Sequence, residues 1–172
     1  MPASANIPAL LQPMLLKPED IPITVLREAA GRPEIVAAVR QLYDEADRRI
    51  AAHLPVCRNR GECCRFGEFG HRLYVTALEV VYYLASADQG ADAEGPLPVT
   101  QDACPHARDG VCHARPRRPL GCRVFYCDPA SQHWQGPLTE EMLARLQRLH
   151  EEFQVPYFYV DWLTVLRALA TQ

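Results

Sequence analysis

The chain has 172 residues, 48% of them apolar, with a net charge of −3 and a pI of about 6.1. That length suits one domain with a core of its own. The charge balance argues against a general nucleic-acid binder, which carries a basic excess, and no apolar run reaches the roughly 20 residues of a membrane span.

Residues 1–32 are rich in proline, with apolar residues scattered between, and read as an irregular arm that packs on the domain or on a protein partner. No basic segment precedes the apolar residues, unlike a secretory leader, so the chain reads as cytoplasmic with reduced thiols. Residues 33–172 read as a single cysteine-cluster domain. Pro33 opens a helix that runs to about His53. Proline suits the first helical position and Glu34 the positive end of the helix dipole. Ile35, Val39, Leu42, Tyr43, Ala46 and Ile50 mark its apolar face at helical spacing. Pro55 ends it before a loop from Cys57 to Cys64. A short strand is expected over 72–75. Thr76 to Glu79 then has the form of a capping box, opening a helix to about Ala87. Residues 88–100 read as a surface loop.

From Cys104 to Cys127 the segment is broken by Pro105, Gly110, Pro116, Pro119 and Gly121. It reads as an irregular stretch that no backbone ladder can shape. After a loop over 128–137, Thr139 is expected to cap a third helix to about Phe153, with Met142, Leu146 and Leu149 in its stripe. A last helix is expected over 161–170, with Leu163, Leu166 and Leu169 inward. Tyr157, Phe158, Tyr159 and Trp162 read as core. The fold class is therefore mainly α, with an irregular, metal-stabilised cysteine-rich centre and at most a small β element.

Cys57, Cys63 and Cys64 form one group of thiols; Cys104, Cys112, Cys122 and Cys127 form another. Seven is an awkward number for a disulfide framework. Reduced thiols collected in two loops read as metal ligands, and thiolates suit zinc or iron–sulfur clusters rather than magnesium or calcium. Arg118 and Arg123 stand close enough in sequence to offset the negative charge of a thiolate-bound metal. Arg58 and Arg117 read as surface residues. His106 and His113 could each replace a thiolate.

With these residues in view, the sequence resembles the YkgJ-type cysteine cluster family, a zinc- or iron-chelating domain. The resemblance runs from Cys57 to Cys64, through Tyr74-Val75-Thr76 and Glu79. It continues at Cys104, Cys112, Arg118-Pro119 and the closing Cys122-Arg123-Val124-Phe125-Tyr126-Cys127. It implies that the seven cysteines are the pool of metal ligands, for a 4Fe–4S cluster or an iron or zinc ion; the spacing does not choose the metal, while the adjacent cysteines and the resemblance lean to iron–sulfur. Arg60 stands where the family's CxxCxxCC pattern has its second cysteine. That leaves three thiolates in the first group and four in the second: either one complete site with a second, open one, or one cluster drawing on both groups with Arg60 as a cation beside it.

The resulting expectation is a metal-binding module with a structural, redox or metal-handling role. One alternative is an enzyme, or its accessory, that modifies proteins by methyl or redox chemistry. Another is a structural-zinc adaptor. No catalytic motif is present, neither a glycine-rich phosphate loop nor an isolated acid–base pair.

Overall fold

A computed structural model of the chain describes residues 12–57, 61–87, 99 and 102–171. It is mainly helical, as expected, with two small two-stranded sheets among the described residues. The proline at the start of α2 (Pro33–Ala52) and the six-residue stripe behave as the sequence implies. Ile35, Val39, Leu42, Tyr43, Ala46 and Ile50 are all buried.

Part of the stretch read as an irregular arm is helical: α1 spans Ile23–Ala30. Ile23, Leu26 and Ala29 recur every three residues, which places them on one helical face, and all three are buried against the domain. The short length of this pattern, hemmed by Pro22 and Pro33, hides it from a reading by period. A one-turn helix, α3 (Phe66–Phe69), lies between α2 and α4 (Ala77–Ala87) in the chain, and α1 packs on α4. The centre of the molecule is α4. Ala77, Leu78, Val80, Val81, Tyr82 and Tyr83 are all buried, so it is apolar on every side rather than along a single face. Helices α1 and α2 pack against it.

Strand β1 (Tyr74–Thr76) leads directly into α4, and β4 (Tyr159–Asp161) leads directly into α7 (Trp162–Ala170). The strands pair antiparallel, with Tyr74 opposite Asp161, Val75 opposite Val160 and Thr76 opposite Tyr159. The two strand–helix junctions share a Tyr-Val-x-x-Leu sequence, Tyr74 to Leu78 and Tyr159 to Leu163. Each opens its helix on a carboxylate. Glu79 accepts from the Thr76 N–H at 2.7 Å, the reach-back expected of a capping box. Asp161 precedes its helix and accepts from Leu163 N–H at 2.8 Å and Thr164 N–H at 3.2 Å.

The third long helix starts earlier than Thr139. Helix α6 spans Gln132–Phe153 and passes through Gly136 and Pro137. Its stripe runs Trp134, Leu138, Met142, Leu146 and His150 at four-residue spacing, all buried. That burial outweighs the one backbone bond a proline removes, and Pro137 itself lies on the exposed side. Thr139 is not a cap; its hydroxyl donates to the Gln135 carbonyl one turn back, at 2.8 Å.

The stretch from 104 to 127 also has more structure of its own than expected. Ala107–Arg108 (β2) and Val111–Cys112 (β3) form a hairpin. Its turn residues, Asp109 and Gly110, have φ of 52° and 75°. Both values are positive, which is the two-residue turn that an Asp-Gly pair favours. Leu120–Val124 forms the short helix α5, which packs on α2 and α6. No helix among the described residues is long and apolar enough to cross a membrane.

Candidate functional site

The two thiol-bearing loops are knitted together by backbone. The Cys104 N–H donates to the Cys64 carbonyl at 2.8 Å, and the Gly67 N–H to the Asp102 carbonyl at 2.7 Å. Gly61, with φ of 67°, approaches Gly110 so closely that a Cβ on Gly61 would stand 3.3 Å from the Gly110 Cα. Glycine is needed on both counts, for the left-handed backbone and for the contact. The hairpin thus lays the second cysteine group against the first.

Five thiols share this pole. The Cys63 and Cys64 sulfurs are 3.9 Å apart. The Cys64 thiol hydrogen-bonds Cys63 and, with help from the Cys63 backbone, Arg118 and His71, holds its thiol down at about 6. Cys64 moves the opposite way: it donates to Cys63, it is buried, and the charges of Cys63, Cys104 and Cys122 oppose its ionisation. Burial pushes Cys104 up to about 11, the Cys112 thiolate adds to the rise, and the His106 N–H and Trp162 offset part of it. Cys122 is raised by burial and then by Cys104, Cys112 and Cys63, against the pull of Arg118. Each of the buried thiols therefore resists ionising in the absence of a cation, because its neighbours would carry the same charge.

The remaining expected residues are placed differently. Cys57 and Cys127 lie exposed at the surface. Arg60 and Arg58 fall outside the described residues. Arg118 stands where its charge reaches Cys63 and Cys122. Arg123 instead is a structural pin. It donates to the carbonyls of Pro116 at 2.6 Å and Arg118 at 2.9 Å, pairs with Asp47 at 2.6 Å, and lies 4.2 Å over the Tyr43 ring. Arg117 is buried rather than on the surface, 4.8 Å over the Tyr83 ring. His106 is buried, its Nε2 2.8 Å from the Tyr83 hydroxyl. His113 is exposed.

Two residues at the pole carry more weight than the sequence suggests. His71 lies with Nε2 3.2 Å from the Cys63 carbonyl. A carbonyl only accepts, so Nε2 carries the proton. Glu79 is fully buried and does more than cap its own helix. It also accepts from the Leu120 N–H at 2.7 Å and from the Tyr43 hydroxyl at 3.4 Å, tying α4, α5 and α2 at one carboxylate. Burial raises its carboxyl above the usual range, against the pull of those N–H groups. The capping-box spacing signals the first role; nothing in the local sequence signals the second.

Beside the thiols lies a cavity of about 400 Å³. Cys63, Cys64, Cys112 and Cys122 line one end; residues of β1, β4, α5 and α6 line the rest. Among the described residues, no three Cys, His, Asp or Glu side chains are already grouped as a metal site. No protein-family model matches the chain. No curated protein matches it, and no solved structure does.

Proposed function

We propose that this chain is a metal-binding cysteine cluster protein, with Cys63, Cys64, Cys104, Cys112 and Cys122 as the donor pool. The observation that carries the reading is the gathering of five thiols from three segments at one pole, with Arg118 at hand to offset thiolate charge. The resemblance of residues 57–127 to the YkgJ-type family points the same way. The donor chemistry suits a soft or borderline cation. Burial and mutual repulsion keep Cys64, Cys104 and Cys122 protonated, and a cation would reverse both effects, so loading would release protons.

The 3.9 Å between the Cys63 and Cys64 sulfurs favours a single tetrahedral ion. With zinc–sulfur bonds of about 2.3 Å, the edge of a tetrahedron is about 3.8 Å. The thiolates of a 4Fe–4S cluster sit on separate irons, farther apart, so the cluster is the second reading. Completing either four-thiolate shell requires two of Cys104, Cys112 and Cys122 to turn towards the pair. A bound ion would hold the two loops together; the residues around it orient the thiolates and balance their charge.

Elemental analysis of protein purified without oxygen is the test. The expected result is a colourless protein with about one tightly held zinc per chain, lost in Cys64→Ser. Brown protein with broad visible absorption would replace zinc by an iron–sulfur cluster. Protein that holds no metal under these conditions, and takes none up on reconstitution, overturns the reading.

A further inference from the structure

The cavity beside the thiols has the marks of a site rather than of a packing defect. It is a cleft partly open to solvent, with Gly136 and Phe125 exposed along it. An engineered apolar hole of about 150 Å³ already takes up benzene. This one has about 400 Å³, within the range of natural ligand pockets. Its walls are mostly apolar: Leu73, Leu120, Val124, Phe125, Leu143 and Tyr159.

The polar groups along it narrow what it can hold. Glu79 is committed to two backbone N–H groups and a tyrosine hydroxyl. The Gln135 amide bonds both the N–H and the carbonyl of Tyr126, at 3.4 and 3.0 Å. Thr139 donates to Gln135, and Arg72 is shared between Asp102 and Asp161 at 3.6 and 3.7 Å. Arg118 sits at the thiol end, facing Cys63 and Cys122. Glu140 and His71 also line it, so polar groups are few beside the apolar walls rather than absent.

We infer that this cavity is a binding site for a compact, largely apolar molecule built on one aromatic ring or a branched aliphatic chain, held with one edge against the thiols of Cys63 and Cys122. This goes beyond metal binding: it gives the thiol pole a small-molecule neighbour. It stands whether or not a metal is present.

Gly136 provides a clean test. It lines the cavity on α6, and a Cβ there would meet no atom within 4 Å. A leucine there starts from open space at its Cβ and favours a helix more than glycine does. The probe is indole, titrated calorimetrically into the full chain under reducing conditions. The expected result is binding with Kd on the order of 1 mM or tighter. Gly136→Leu weakens it at least tenfold with no fall in Tm, whereas Gly136→Ala, too small to fill the space, retains it. Indole also slows alkylation of Cys63 by iodoacetamide in the parent protein. Absence of indole binding by the parent, or equal affinity in Gly136→Leu, overturns the inference. Metal content of the same samples reads the other proposal separately: indole binding without metal leaves this site standing and removes the metal centre, and metal without indole binding does the reverse.

Discussion

The helical frame and the thiol pole are held together by different means. In the frame, α1, α2, α6 and α7 each lay an apolar stripe on the buried α4 or on one another. Contacts of that kind are many, individually small and interchangeable, so volume-conserving substitutions cost little. At the pole the elements are too short for stripes. Order there comes from a few polar pins: Arg123 on two carbonyls and Asp47, Glu79 on two N–H groups, and Gly61 against Gly110. Each pin has one geometry, and removing it leaves buried groups without partners. The frame therefore tolerates change that the pole does not. The pole is also where a bound metal would add most.

The largest expected effect follows metal withdrawal. Chelation of the proposed metal should raise amide exchange across 102–127 by about a hundredfold or more, because such binding energy is folding energy for the loops it ties. Amides of α2 and α7 should keep their protection. Equal protection of 102–127 with and without chelator would break the comparison.

Arg123→Met comes next. It retains much of the apolar stem but strands the Pro116 and Arg118 carbonyls and the Tyr43 ring face. A loss of about 3 kcal/mol in urea unfolding is expected, discounted because Asp47 is half exposed. A conservative frame change such as Leu166→Met should cost less than about 1.5 kcal/mol. Similar losses for the two would show that the pole is no more specifically pinned than the frame.

His150 tests a buried polar joint of the frame. Its Nε2 accepts from the Leu78 N–H at 3.3 Å and its Nδ1 donates to the Val155 carbonyl at 3.1 Å. Burial lowers its pKa to about 4. The folded form thus stays neutral while the unfolded chain takes up a proton near pH 6.5. Stability should fall as pH drops from 6.5 towards 4, by about 3 kcal/mol at most, and the slope from this group should level off below 4. His150→Gln, which can still accept and donate, should remove that slope; an unchanged profile would discard the assignment.

The smallest effect is expected at Gly61. Gly61→Ala should cost about 1 to 2 kcal/mol through the left-handed backbone and the Gly110 contact. It should also raise the reactivity of Cys64 and Cys104 towards a maleimide as the loops part. A neutral result would mean that the close approach does not hold the two cysteine groups together.

Much of the frame was legible in the residues. The six-residue stripe of α2, the capping glutamate of α4 and the three inward leucines of α7 all follow from period and spacing. Helix α1 and the start of α6 were not legible, because Pro22, Gly136 and Pro137 are strong local signals against a helix and only the burial of Ile23, Leu26, Trp134 and Leu138 outweighs them. At the pole, the Asp109-Gly110 turn was open to reading from the dipeptide alone. The gathering of five thiols was not.

What the amino-acid sequence by itself determined is therefore local: most of the long helices, the carboxylate that caps α4, and that seven cysteines lie in two groups. Tertiary structure alone decided which thiols face one another, that Arg123 pins the pole to α2, that His106 belongs to the core, and that a cavity opens beside the cysteines. The physical reason is range. Helical period, capping and turn preference act within a few residues and leave their mark in the sequence. The pairing of Cys64 with Cys104, or of Glu79 with Leu120, depends on loop closures some forty residues long, whose outcome is set by the packing of every helix between them.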